Sequence, residues 1–226
     1  MSFRKLWAIL VLSFGMVAVP ALFSTPAHAQ RFKVTVTNLT QGVTLTPIMV
    51  ATHRAGVKLF TLGAPASVEL EKVAEAGDLS ALETSLKSDN RVYQVMDSGA
   101  PLPPGQSVTL TVPARGFYDH LSVVSMLVPT NDGFFAVNGA RGPNFLKRTV
   151  VYYSPAYDAG TEADDELCAH VPGPPTVCTG EAFNPSRDGD VNFVHIHPGI
   201  HGVGDLSAAS YDWRNPVARI EVTLVK

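Results

Sequence analysis

Apolar and polar side chains alternate along much of this chain, and that period of two most limits what it can fold into. Phe32, Val34 and Val36 fall on one side of an extended backbone, and Lys33, Thr35 and Thr37 on the other. Near the carboxyl end, Ala218, Ile220, Val222 and Leu224 repeat the pattern. Only a strand with one buried face satisfies such spacing, because successive side chains of a strand leave opposite faces. Residues 43–50, 57–62, 107–112, 134–137, 149–153 and 191–197 read the same way, with a turn at His53-Arg54-Ala55-Gly56 and a rigid one at Pro101-Leu102-Pro103-Pro104-Gly105. Residues 121–128 form an apolar run with only Ser122 and Ser125 polar, as in a central strand covered on both faces. The period changes only once. Val68, Leu70, Val73 and Ala74 ahead of Gly77 predict a helix over residues 67–76, and Ser80-Ala81-Leu82-Glu83 fits a capping box opening a second short helix. The expected fold is all-β, an antiparallel β-sandwich of about 8–10 strands with a short helical insert. No repeat or linker divides residues 30–226, so one domain is expected.

Residues 1–29 stand apart. Arg4 and Lys5 precede an apolar run over residues 6–23, and Ala27-His28-Ala29 supplies a small-residue cleavage pattern. These features predict a secretory signal peptide, with Gly15 and Pro20 interrupting any membrane-spanning helix. No later segment approaches the ~20 apolar residues of a span. The expected product is exported, periplasmic or secreted, without a transmembrane anchor after signal cleavage. Cys168 and Cys178 are then expected to form one disulfide around Pro172-Gly173-Pro174-Pro175. A loop this short gains roughly 3 kcal/mol at most from closure. The chain has 17 Lys and Arg against 20 Asp and Glu, and loss of Arg4 and Lys5 leaves 15 against 20. A nucleic-acid partner is therefore not expected, since binding one requires a basic face.

Two stretches concentrate chemistry. Five carboxylates crowd residues 157–166, Tyr157-Asp158-Ala159-Gly160-Thr161-Glu162-Ala163-Asp164-Asp165-Glu166, and Pro129-Thr130-Asn131-Asp132-Gly133 offers a similar mixture after the most apolar strand. Calcium takes six to eight oxygens, more than one such loop supplies, so two loops would have to converge. Composition alone leaves open that both are solvated turns. The second stretch, Val194-His195-Ile196-His197-Pro198-Gly199-Ile200-His201, sets His195 and His197 on one face of a strand, with His201 able to return across the turn. Three nitrogens suit zinc or copper. Hydrogen bonding of the rings to loop carbonyls or to Asp205 and Asp212 is the other reading. Catalytic motifs are missing from the sequence: there is no Gly-x-Ser-x-Gly elbow, phosphate-cradling glycine loop or His-Glu-x-x-His helix.

Asn38-Leu39-Thr40, Thr46-Pro47, Asn131-Asp132-Gly133-Phe134, Tyr157-Asp158-Ala159-Gly160-Thr161-Glu162 and Asn215-Pro216-Val217-Ala218-Arg219-Ile220 together resemble a spondin-type domain, the amino-terminal module of F-spondin and mindin. The resemblance runs from Arg31 to Lys226. It implies a sandwich similar to calcium-dependent membrane-binding domains, with calcium held by Asp132, Asp158 and Glu162. Animal members carry Trp where this chain has Gly133, and Asp where it has Glu162; the longer carboxylate can still bind calcium with both oxygens. The resulting expectation is an exported, non-enzymatic binding or adhesion module that holds calcium and meets an unknown surface or extracellular ligand. The alternative is a periplasmic zinc or copper protein, or a metal-dependent enzyme, using His195, His197 and His201.

Overall fold

The computed structural model describes residues 30–186 and 189–226, so the expected signal peptide, residues 1–29, lies outside the described residues. One sheet has the order β5 (Ser107–Pro113), β1 (Arg31–Asn38), β11 (Ala218–Val225), β8 (Thr149–Ser154), every pairing antiparallel. Phe32, Val34, Val36, Ile220, Val222 and Leu224 are buried on its inner face. Its outer face carries hydroxyl pairs, Thr35 with Thr109 and Thr37 with Ser107, each at 2.8 Å. This is the alternation of the sequence made physical: one face is removed from water and the other remains polar.

The second sheet has the order β10 (His195–Ile196), β9 (Ala156–Asp158), β7 (Gly133–Arg141), β6 (His120–Val128), β3 (Met49–His53), β4 (Val92–Asp97), with β2 (Thr44–Leu45) also pairing with β6. Strand β6 is mostly apolar because both its faces are covered, and its buried hydroxyls, Ser122 and Ser125, are hydrogen-bonded. Val123 packs with Val36, Phe135 and Ile220 between the sheets, whereas Val124 packs with Leu70, Val73, Leu82 and Phe134 beneath two helices. The helical insert, α1 (Val68–Ala76) and α2 (Ser80–Ser88), thus forms a third layer on the second sheet. Burying side chains such as Leu70 and Val73 stabilises by about 1.5–3 kcal/mol each. Helix α1 starts at Ser67, whose hydroxyl accepts from Leu70 N, and stops at Gly77 in the left-handed conformation.

Several local expectations need correction. Residues 57–62 form no strand: Gly56 has φ +87°, and the side chain of Asn138 accepts from Leu59 N and donates to Phe60 O, replacing a ladder. Pro47 divides residues 43–50 into β2 and β3. Only His195–Ile196 of residues 191–197 is strand. Strands β4 and β9 and a one-turn helix, α3 (Ala208–Tyr211), were not expected. Ser80 is the first residue of α2 rather than its cap, and the Asp78 carboxylate accepts from Ser80 N at 2.9 Å. The eleven strands among the described residues form two antiparallel sheets packed as a sandwich.

This arrangement gives the molecule two distinct ends. Residues 129–132, 159–186 and 189–194 gather beyond Asp158 and Gly133, which are cross-strand partners. At the other end, residues 114–119 and 142–148 cross between the sheets, tied by Gly142 N to Asp119 O at 2.7 Å and Lys147 N to Leu224 O at 2.8 Å. The Cys168–Cys178 disulfide is formed, with Cα atoms 4.9 Å apart.

Candidate metal centre

Strand β6 ends at Val128, and the chain turns through Thr130, whose hydroxyl accepts from Gly133 N at 3.0 Å. The turn drives Asp132 inward, where it is fully buried. One of its oxygens, Oδ2, accepts from Thr161 N at 2.8 Å, Thr161 Oγ1 at 3.1 Å and Glu162 N at 3.1 Å. The other, Oδ1, is buried and accepts no hydrogen bond among the described residues. The two acidic loops expected from the sequence therefore meet, with the second folded around a carboxylate of the first.

Asp158, at the end of β9, has the same divided character. Its Oδ1 accepts from Gly160 N at 2.7 Å, while Oδ2 is buried without a partner among the described residues. Gly160 closes this turn at φ +71°, and a Cβ there would lie 2.3 Å from Phe193 O, so no other residue fits. Beneath the turn, Phe60, Phe134 and Tyr157 pack at centroid distances of 5.0 to 5.5 Å and hold β7 and β9 in place.

Asp164 joins Asp158. Ligand atoms of Asp158, Asp164 and His197 lie within 4.8 Å of one another, and a second group brings Asp158 together with Asp190 and His195. No Lys or Arg among the described residues pairs with Asp132, Asp158 or Asp164. Their protonation reflects this. Burial raises the pKa of Asp132. It pushes Asp158 up to about 10, with the Asp132 and Asp164 charges adding to the effect, and raises Asp164 to about 7, again reinforced by Asp132. Each carboxylate disfavours its neighbour's charge, and around buried Asp132 and Asp158 little water screens the repulsion.

Glu162 lies in the same loop, buried, but its carboxyl group turns toward Glu75 of α1, with which it shares a hydrogen bond. Glu75 is itself raised to about 6, mainly by burial. Of the three expected calcium ligands, Asp158 belongs to both metal-competent groups, Asp132 lies near enough for its charge to oppose that of Asp158, and Glu162 hydrogen-bonds toward Glu75. Asp164 was visible only as one carboxylate in a run of five. Its selection depends on where loop 159–166 folds, which residue spacing does not reveal.

The histidines separate. His195 points Nδ1 toward Phe193 O at 3.2 Å and Asp158 Oδ1 at 3.5 Å. His201 is exposed, and its backbone N–H donates to Glu166. His197 is buried against Trp213, ring centroids 5.0 Å apart. Each metal-competent group contains one histidine, and none contains two. Asp205 and Asp212, considered as partners for these rings, accept from Cys168 N and Ile200 N instead.

The protonation of His197 bears on what this site can hold. Gly199 N donates to Nδ1 at 3.1 Å, so Nδ1 keeps its lone pair and the neutral ring carries its proton on Nε2. Burial, with the neighbouring imidazoles, lowers the His197 pKa to about 3, so the ring is neutral. Nε2 therefore presents a hydrogen, 3.5 Å from Asp164 Oδ1, where a metal would need a lone pair. His197 Nε2 is buried and makes no hydrogen bond among the described residues; with Nδ1 taken by Gly199 N, the carboxylate oxygens are the remaining donors, a set that suits a hard cation.

No helix among the described residues is long and apolar enough to cross a membrane. No curated protein matches the chain. The sequence profile of the family described as Spondin_N does match, over residues 16–177, a stretch that includes β1, helices α1 and α2 and the paired acidic loops of Asp132 and Asp158. With most of its length covered by that profile, and with the β-sandwich the resemblance implied, the chain belongs to the Spondin_N family.

Proposed function

We propose that this protein is an exported, non-enzymatic binding or adhesion module whose acidic end holds a calcium ion and presents the surrounding loops to a surface or extracellular ligand. Asp132, Asp158 and Asp164 would hold the ion, with Glu162 entering if its side chain turns from Glu75. One observation carries the reading: buried oxygens of Asp132 and Asp158 accept no hydrogen bond among the described residues, beside a third carboxylate and without a Lys or Arg partner. Burying such a group costs several kcal/mol unless something compensates. A calcium ion would supply that compensation and fix the two loops relative to each other.

The grouping of Asp158, Asp190 and His195 supports a second reading, a periplasmic zinc or copper protein or metal-dependent enzyme. Elemental analysis of purified protein separates the two. About one equivalent of calcium, with a melting temperature that rises with calcium, rises less with magnesium and falls in chelator, is the expected result. Stoichiometric zinc or copper, or a melting temperature indifferent to calcium and chelator, would reject it. At a hundredfold excess over Kd the ion should stabilise by about 2.7 kcal/mol.

A further inference from the structure

The end of the sandwich farthest from the carboxylates carries the opposite chemistry. Phe117 is 83% exposed at one loop tip, and Phe145 and Leu146 are 63% and 46% exposed at the next. Both tips are held by hydrogen bonds. Tyr118 N donates to Arg115 O at 2.9 Å across a turn that needs the φ +53° of Gly116, and Arg148 N donates to Phe145 O at 3.1 Å. The second loop is anchored at its root, where Gly142 lies so close to the Phe32 ring that a Cβ would approach within 2.4 Å.

Cations surround these tips. Arg115 and Arg54 rest on the rings of Tyr93 and Tyr118, at 5.4 and 4.9 Å, and no carboxylate among the described residues pairs with Arg54, Arg115, Lys147 or Arg148. Arg31 begins β1 and Lys226 follows β11 at the same end. Between the loops lies a cleft of about 190 Å³ bordered by Phe32, Arg115, Tyr118, Arg141 and Asn144. Asp119 also borders it, but is taken up by His120 and Arg141, at 2.8 and 3.0 Å. In a chain with net acidic charge, this segregation of cations around exposed apolar tips is the feature to be explained.

We propose that this end docks on an anionic lipid surface: Phe117, Phe145 and Leu146 enter the boundary between headgroups and acyl chains, and the unpaired Arg and Lys side chains meet lipid phosphates. Two signals acting together suit such binding, since apolar insertion and charge attraction reinforce each other at a membrane interface. A nucleic acid would use stacked rings and cations but leave Leu146 without a role, whereas a lipid layer uses all three apolar side chains. The docking end is separate from the acidic one, so the inference does not depend on a bound cation.

The test is co-sedimentation of protein expressed from its full-length coding sequence with phosphatidylglycerol–phosphatidylcholine vesicles, in chelator, against pure phosphatidylcholine. Binding to the anionic vesicles alone, weakened by salt, is expected. Joint replacement Phe117→Ser and Phe145→Ser should weaken it by about tenfold, and so should Arg115→Glu with Arg148→Glu. All four positions are at exposed tips, so unchanged thermal melting verifies the fold. Asp158→Asn should leave binding in chelator unchanged. Failure to sediment, equal binding by the replaced proteins, or retention by single-stranded DNA in place of vesicles would overturn the proposal.

Discussion

The two ends of this sandwich place charge in opposite ways. At one end Asp132 and Asp158 are buried, with half-buried Asp164 beside Asp158; at the other the exposed side chains of Arg54, Arg115, Lys147 and Arg148 make no ion pair among the described residues. Buried like charges raise one another's free energy, so the acidic end needs something within it, whether protons or a cation. Exposed cations cost little and gain little until another surface meets them. Burial, more than the number of charges, distinguishes an ion-holding site from a docking site.

The contrast can be broken most forcefully at Asp158. Asp158→Asn makes permanent the neutral state that burial and the Asp132 and Asp164 charges impose on this carboxyl when no cation is bound, so in chelator the variant should be at least as stable as the parent. In saturating calcium it should be less stable, because the shift of about 2.7 kcal/mol, on the order of 5–10 °C for a chain of this size, disappears. This inversion of rank between chelator and calcium is a signature that a purely structural Asp158 would not give. Calorimetric melting in both buffers reads it, and the same rank in both would defeat the assignment.

Paired glycine replacements sharpen the comparison. Gly160→Ala strains a φ of +71° and drives Cβ into the Phe193 backbone, so it should destabilise by about 2 kcal/mol or more. It should also weaken calcium binding, because the Asp158 turn opens. Gly116→Ala meets nothing within 4 Å and strains φ alone, at about 1 kcal/mol. Equal losses in urea titrations would mean that the acidic loops are no more tightly built than the exposed tips.

The sequence revealed the strands whose alternation is strict, β1 and β11, and the double burial of β6, because in each the side-chain period matches the layers that cover it. It misled at residues 57–62, where apolar Val57, Leu59 and Phe60 do face a core but the backbone bonds to the Asn138 side chain, which periodicity does not reveal. Strand β4, with only Val95 buried, carries almost no pattern. The pairing of loop 129–132 with loop 157–162 was legible as two oxygen-rich segments. The approach of Asp164 to Asp158 and the hydrogen bond of Glu162 toward Glu75 of α1 were not, since both depend on how loop 159–166 folds. Nor could spacing show that His197 offers a hydrogen: that follows from the Gly199 N–H, fixed by how the loop closes.

The smallest expected effect lies beneath the basic end. His53 is fully buried, with Nδ1 donating to Arg54 O at 2.8 Å and Nε2 accepting from Ser122, whose hydroxyl oxygen also accepts from Gly139 N at 2.9 Å. Burial lowers its pKa, and His120 and Lys58 push the same way, although the Arg54 carbonyl and Asp89 favour the proton. Between the lowered folded value and the ordinary value near 6.5, the unfolded chain holds the proton that the folded chain refuses. Stability is therefore unaffected by this group above about pH 6.5 and declines as pH falls below it. His53→Asn keeps a donor near the Nδ1 position but cannot protonate. It should be less stable than the parent near neutrality, because Ser122 loses its acceptor, and that gap should narrow as the buffer is taken toward about pH 5.5. Melting both proteins in saturating calcium across this range holds the acidic end constant. A gap that stays the same at every pH would show that His53 is a packing residue and that the basic end has no proton-linked stability of its own.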